Sequence, residues 1–147
     1  MSEMDYGLID ISHKEVTARE AVAQVEIRAS ESTLDRIEHG DTPKGPVLTS
    51  VRTAALMATK TTHLVLPHCH PICVTGANVG FNRVPGALQI SVRIAALDRT
   101  GVEMEALHAA SVAALTVYDM VKFTDEDLRI EGLKLMSKSG GKKDFRR

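Results

Sequence analysis

The feature that most constrains the fold is the segment "TGVEMEALHAASVAALTVYDMVKFT", residues 100–124. It predicts the clearest helix of the chain, and Thr100 with Glu103 forms the pattern of a capping box around Gly101. Most of the circumference of this helix is apolar, so the helix has to be buried on most sides. One face of a small sheet cannot cover that much apolar surface, and the segment therefore also predicts a homo-oligomer.

One polar stripe interrupts the apolar surface of the predicted helix. At about 100° per residue, His108, Asp119 and Lys122 fall in one sector, with Glu105 at its edge and Met104 near Lys122. Two interpretations stay open. Asp119 and Lys122 are three residues apart and could form a weak, exposed ion pair. Alternatively, the stripe faces a cleft or a partner subunit, where the same two side chains could transfer protons.

The rest of the chain predicts strands and shorter helices. The patterns indicate a strand in residues 17–30, helices in 30–40 and 47–67, two strands in 72–98 and a last strand in 128–137. Ser32 with Asp35 approximates a capping box for the first helix, Gly40 marks its end, and Pro85-Gly86 supplies a turn between strands. This order predicts an α+β fold, a ferredoxin-like sandwich with helices packed on one face of an antiparallel sheet.

The length of the chain favours a single domain. We expect this domain to span residues 1–147, with a short lead-in at 1–8 and a basic flexible tail at 139–147. The formal net charge of -1 and the aromatic content of 3% predict no binding of nucleic acid. Two neighbouring cysteines cannot form a disulfide framework, and no apolar run reaches membrane length, so we expect a cytoplasmic protein that binds no membrane.

The stretch "PHCHPIC", residues 67–73, concentrates potential metal ligands. Zinc is chemically reasonable there, because neutral histidine and thiolate are its usual ligands. In an extended stretch, however, neighbouring side chains point to opposite faces, so Cys69 would point away from His68 and His70. Three interpretations remain: a zinc site, satisfied core or turn residues, and a ligand-binding edge.

Several lysines lie beside glycine or proline. Lys44 lies in the loop "DTPKGP", and three further lysines surround "SGG": Lys138, Lys142 and Lys143. They are either solvated charges or a binding loop for a polyanion, since glycines let the backbone approach a phosphate closely. The start of the long helix could also bind an anion through its free N–H groups.

Three segments occur in one order and together resemble a known family. "LPHCHPICVTGANV", "TGVEMEALHAASVAALTVYDMVK" and "KSGGK" are similar to the cyclic pyranopterin monophosphate synthases, the family of molybdenum cofactor biosynthesis protein C. The resemblance implies a ferredoxin-like subunit, dimers that assemble into a hexamer as a trimer of dimers, and active sites at subunit interfaces. It also implies a small GTP-derived substrate, a cyclised dihydro-GTP, which is converted to cyclic pyranopterin monophosphate and pyrophosphate. No redox cofactor and no protein-bound metal are implied, and magnesium with the triphosphate is left open.

The resemblance also implies roles for individual residues. The catalytic positions fall on Asp119, Lys122 and Lys44. The substrate-binding positions fall on His68, Cys69, His70, Met104, Glu105, Glu103, Lys138 and Arg19. Asp119 and Lys122 would transfer protons, Lys44 would stabilise charge or act as a general acid, and His70 with Lys138 would bind the triphosphate.

Two features depart from the pattern, and one alternative function competes with it. His68 stands where the family usually has an apolar residue, and "GGKKDFRR" replaces the usual ending, which puts Lys143 in doubt. The alternative is a non-catalytic zinc- or nucleotide-binding regulatory module on the same fold. The presence of Lys44, Asp119 and Lys122 argues against it. If Lys44 and Asp119 act from different chains, mixing inactive variants of the two should restore activity.

Overall fold

The computed structural model describes residues 6–147, so the first five residues of the predicted lead-in lie outside the described residues. Within that range the chain forms a five-stranded sheet and four helices, which confirms the α+β class. In chain order the elements are β1 (Thr17–Arg28), α1 (Glu31–His39), α2 (Val47–Thr59), α3 (Thr62–Val65), β2 (Val74–Val84), β3 (Ala87–Asp98), α4 (Glu103–Val121), β4 (Arg129–Ser139) and β5 (Phe145–Arg146).

The sheet has the strand order β2-β3-β1-β4-β5, and every neighbouring pair is antiparallel. The two central strands are buried at every second residue, because successive side chains of a strand point to opposite faces. The buried apolar residues that β1 and β3 place on one face of the sheet are Ala21, Ala23, Val25, Ile27, Leu88, Ile90, Val92, Ile94 and Ala96. They form one apolar face, and this arrangement is consistent with the predicted ferredoxin-like sandwich.

Helix α4 packs on this face and also against α2. Its buried surface is built largely from alanines, namely Ala106, Ala109, Ala110, Ala113 and Ala114. Small side chains let the helix axis approach the sheet and α2 closely, which explains how a core with few aromatic residues can pack densely. The predicted long helix is confirmed, with Glu103–Val121 as its bounds. Among residues 6–147, no helix is both long and apolar enough to cross a membrane.

The helix ends differ from the predicted capping boxes. Helix α1 is capped by Ser30, whose side-chain oxygen accepts the N–H of Thr33 at 3.2 Å, so the prediction of Ser32 is wrong. Gly40 ends this helix in the left-handed region at φ 70°, as predicted. The capping box predicted at Thr100 is also wrong. The N-cap position of α4 is Val102, whose side chain cannot accept a hydrogen bond, and the Glu103 carboxylate pairs with Lys138 instead.

The helix predicted for residues 47–67 is divided at Lys60. Threonine hydroxyls beside the break bond back to helix carbonyls: Thr59 to Ala55, Thr61 to Met57 and Thr62 to Ala58, at 2.9 to 3.1 Å. Such local bonds compete with the regular helix ladder and favour a bend.

The strand predictions are confirmed, and the chain turns at Gly86, with φ 73°, between β2 and β3. Part of the expected tail is an edge strand, because β5 pairs with β4.

Candidate active site

The first group of site residues lies at the C-terminal end of α4, and we call it the acid–base cluster: Lys44, Asp119 and Lys122. Lys44 Nζ is 2.7 Å from Asp119 Oδ2, and Lys122 Nζ is 2.9 Å from Asp119 Oδ1. The three side chains are 39%, 54% and 43% exposed, so the cluster opens to solvent instead of lying in a closed cleft. Ion pairs of this exposure contribute little to stability, which leaves the close convergence without a purely structural explanation.

The backbone holds Lys44 against α4 by a tight turn. The Gly45 N–H donates to the Thr42 carbonyl at 3.0 Å, and the Thr42 hydroxyl donates to the Gly45 carbonyl at 2.6 Å. Gly45 has φ 93°, a conformation that other residues rarely adopt. Hydrogen bonds from Lys44 and then Lys122 lower the pKa of Asp119 below its ordinary value. The carboxylate is therefore ionised at neutral pH and accepts hydrogen bonds from both ammonium groups.

The second group lies around the N-terminal end of α4, and we call it the binding edge: Arg19, Cys69, His70, Glu103, Glu105 and Lys138. Lys138 Nζ is 3.1 Å from Glu103 Oε1. Arg19 is 7% exposed, and its guanidinium donates to the carbonyls of Asp98 and Arg99 at 3.3 and 3.1 Å. Arg19 and Lys138 line an open cavity of about 190 Å³ beside Thr100 and Gly101. The other residues that line this cavity are Lys14, Glu20, Glu103, Ser139, Gly141 and Lys142.

The cavity contains four cationic side chains, Lys14, Arg19, Lys138 and Lys142, against two carboxylates. This excess of positive charge beside the start of α4 can bind a polyanion. Sequence reasoning selected Arg19 and Lys138 and considered Lys142, but it missed Lys14. No spacing rule could have found Lys14, because only the fold brings the residues before β1 next to the loop that follows β3.

Glu105 and Cys69 form the buried part of the binding edge. Glu105 is 4% exposed, and burial raises the pKa of its carboxyl, with smaller contributions from Glu103 and Asp98. Burial and the charge of Glu105 raise the pKa of the Cys69 thiol. Cys69 is therefore protonated at neutral pH, which makes it a poor nucleophile. A carboxyl with a raised pKa can instead exchange a proton or donate a hydrogen bond to a ligand.

The two histidines of the predicted ligand stretch contact the segment before β1. His68 Nδ1 lies 3.2 Å from the Gly7 carbonyl oxygen, and His70 Nε2 lies 2.8 Å from that of Ile9. Cys69 is instead close enough to Glu105 to be affected by its charge. The three residues thus have different neighbours. Within residues 6–147, no group of three or more His, Cys, Asp or Glu side chains is placed to hold a metal ion.

The polar stripe of α4 does not act as one surface. His108 Nδ1 is 3.1 Å from both the Thr62 hydroxyl and the Ala58 carbonyl, so it faces α2 and α3. The interpretation in which the whole stripe faces one cleft or one partner subunit therefore does not hold for His108, because the packing of α2 covers that part of the helix. Met104 lies in the first turn of α4 and is 42% exposed, far along the helix from Lys122.

The acid–base cluster and the binding edge are well separated within one chain. From Glu105 to Asp119 the helix rises about 21 Å, at about 1.5 Å per residue. Lys44 and Asp119, by contrast, are in direct contact within the same chain. One chain therefore supplies both Lys44 and Asp119, so the condition for restoring activity by mixing variants of these two residues is not met.

The glycines of "SGG" have a structural role against β1. Gly140 has φ 90°, and a side chain there would overlap the Ala18 carbonyl oxygen. Its own carbonyl accepts the Thr17 hydroxyl at 2.7 Å. Gly140 therefore lets the loop after Lys138 approach the neighbouring strand β1 closely. This contact holds the loop in place.

Replacing Gly140 by alanine should lower the free energy of unfolding by more than replacing Gly132. Both glycines have positive φ, which costs an alanine about 1–2 kcal/mol, but nothing lies within 4 Å of a side chain added at Gly132. At Gly140 the overlap with Ala18 should add about 1–3 kcal/mol. Urea unfolding of both variants measures the difference. Equal losses would show that β1 does not constrain this loop.

Comparison with known proteins gives one consistent result. The sequence model described as the MoaC family matches residues 8–141. A cyclic pyranopterin monophosphate synthase from Desulfitobacterium hafniense (strain DSM 10664 / DCB-2) is 45% identical over 136 residues, covering 92% of this chain and 83% of the relative. Proteins of the same name from Chloroflexus aggregans (strain MD-66 / DSM 9485) and Roseiflexus sp. (strain RS-1) are each 43% identical over 137 residues. They cover 92% of this chain and 83% and 87% of the relatives.

Proposed function

Because the chain belongs to the MoaC family, we propose that its reaction is that of a cyclic pyranopterin monophosphate synthase in molybdenum cofactor biosynthesis. It is a lyase that converts a cyclised dihydro-GTP to cyclic pyranopterin monophosphate and releases pyrophosphate. The observation that carries the assignment to these residues is the convergence of two lysines on one carboxylate, Lys44 and Lys122 on Asp119. A solvated ion pair on the surface needs only one lysine, so the presence of a second lysine on the same carboxylate supports a catalytic role for the three residues.

The acid–base cluster supplies proton transfer. Rearrangement of the purine-derived rings requires a base and acids within hydrogen-bond distance of the reacting atoms. We assign Asp119 as the base, because its carboxylate lies within hydrogen-bond distance of both lysines. Lys122 donates a proton, and Lys44 acts as a second acid or stabilises negative charge as the leaving group departs. No redox cofactor is part of this proposal, since the ring rearrangement and the closure of the cyclic phosphate with release of pyrophosphate involve no net oxidation or reduction.

The binding edge holds the substrate. Lys138 and His70 bind the triphosphate, and the positive cavity that also contains Arg19 binds the phosphates that leave as pyrophosphate. Cys69, Met104 and Glu105 contact the ring system, with the buried Glu105 as a hydrogen-bonding group. For His68 we propose a backbone contact only, because it stands where the family usually has an apolar residue. Magnesium with the triphosphate remains compatible with this arrangement.

A second copy of the chain completes the site. One substrate ring system has to meet both groups, yet a single chain places them at opposite ends of α4. A pair of chains with antiparallel α4 helices would bring the acid–base cluster of one next to the binding edge of the other. Exposed apolar residues at the C-terminal half of α4, Leu115 and Tyr118, support burial against another subunit. We propose a dimer as the catalytic unit, a hexamer as the trimer of dimers, and a cytoplasmic location.

The release of pyrophosphate from the cyclised dihydro-GTP tests the function directly. Wild-type protein should release one pyrophosphate per cyclic pyranopterin monophosphate formed, and Lys122→Met should release none above background. Substrate binding without pyrophosphate release would support the alternative of a nucleotide-binding regulatory module. Zinc that tracks the protein one to one, with unfolding on chelation, would instead support a structural metal site.

A further inference from the structure

Phe123 lies directly beside the acid–base cluster, and the mechanism above does not use it. Its side chain is 74% exposed, which is unusual for an aromatic ring. The ring centroid lies 5.6 Å from Lys44 Nζ and 5.3 Å from Lys122 Nζ. Both distances are within the range in which an ammonium group is attracted to an aromatic ring.

The backbone holds Phe123 in a defined turn after α4. The Thr124 N–H and hydroxyl both donate to the Val121 carbonyl, at 2.9 and 2.8 Å. On the next residue, the Asp125 carboxylate accepts the Ser30 N–H at 2.8 Å, which ties the turn to the start of α1. The position of the ring is thus set by backbone bonds on its C-terminal side and by the helix on its N-terminal side, although the ring itself is not buried.

The ammonium groups of Lys44 and Lys122 need a further contact to restrict their positions. Each ammonium group is carried on a flexible four-carbon chain, and an exposed ion pair does little to restrict it. Asp119 supplies one contact to each ammonium group, at the end of each side chain. The Phe123 ring supplies a second contact to the same two groups, from a direction set by the turn.

We propose that Phe123 is a positioning residue of the acid–base cluster: its ring keeps both ammonium groups against Asp119, ready for proton transfer. The inference rests on the proposed function. It adds to that function a residue without a titratable group, which acts only through Lys44 and Lys122. A role of this kind affects the turnover number more than substrate binding, because the ring touches the acid–base groups and not the binding edge.

Steady-state kinetics of two variants test the role. Phe123→Leu keeps an apolar side chain but removes the ring, and it should lower kcat about three- to tenfold, the effect of losing one or two exposed cation–aromatic contacts. KM should change by less than about twofold, because the binding edge is intact. Phe123→Tyr retains the ring and should keep kcat within about twofold of wild type. Phe81→Leu is the matched control, since Phe81 faces Arg52 at 5.2 Å outside the site and its loss should leave kcat unchanged.

A spectroscopic measurement keeps the test independent of turnover. In protein with ¹³C-labelled lysine, the ε-methylene protons of Lys44 and Lys122 should be shifted upfield by the ring in wild type and in Phe123→Tyr, and should lose that shift in Phe123→Leu. Absence of the shift in wild type would overturn the inference. So would wild-type kcat in Phe123→Leu, an equal loss in Phe123→Tyr, or a loss that follows a change of oligomeric state in light scattering.

The outcomes separate this inference from the function on which it rests. Normal pyrophosphate release by wild type together with an unaffected Phe123→Leu variant rejects only the positioning role. Absence of pyrophosphate release by wild type rejects the proposed function, and the positioning role with it, whatever the lysine spectrum shows.

Discussion

Asp119→Asn should lower the rate of pyrophosphate release by about 10²- to 10⁴-fold, the range for loss of a positioned acid or base. The amide is nearly the same size as the carboxylate but cannot accept a proton under these conditions. It also removes the negative charge that Lys44 and Lys122 share. Substrate affinity should change far less than the rate, because the substitution leaves the residues of the binding edge unchanged.

Asp127→Asn is the matched control for this prediction. Asp127 is also an acidic residue near the end of α4 and is 87% exposed, and its ion pair with Arg129 has a distance of 3.8 Å. Its replacement should leave the rate unchanged. Thermal unfolding of both variants should remain near wild type, because solvent-exposed ion pairs contribute little. Near-normal turnover by Asp119→Asn would remove Asp119 from the mechanism.

Mixing two inactive variants should restore activity when the lesions lie in different groups. Asp119→Asn damages the acid–base cluster, and Lys138→Met damages the binding edge. In a mixed dimer, one of the two sites combines the intact acid–base cluster of one chain with the intact binding edge of the other. After dissociation and random reassociation, about a quarter of the wild-type activity is expected for two-fold symmetric dimers.

The paired control combines lesions within one group. Lys44→Met and Asp119→Asn alter residues that are 2.7 Å apart in the same chain, so every site of a mixed dimer carries one of them. This mixture should stay inactive. Activity in this control, or inactivity in the Asp119→Asn and Lys138→Met mixture, would contradict the division of the site between two chains. Light scattering of the mixtures must show that oligomers have re-formed.

The sequence alone determined the features that depend on local patterns. The apolar surface of residues 103–121 required a buried helix, and alternation in β1 and β3 produced the sheet on which it packs. Gly40 and Gly86 marked a helix end and a hairpin turn, because their positive φ is a local property of the backbone. Family membership followed from three motifs whose order along the chain could be read directly.

Tertiary structure alone decided which distant side chains meet. Lys44 reaches Asp119 because the turn before α2 lies against the end of α4, and Lys14 enters the positive cavity because the segment before β1 passes the start of α4. His108, placed with Asp119 by helical periodicity, bonds to the α2–α3 break instead. A helical period fixes the direction of a side chain but neither its position along the axis nor the element packed against it. For that reason the separation of the acid–base cluster from the binding edge emerged only once the chain was folded.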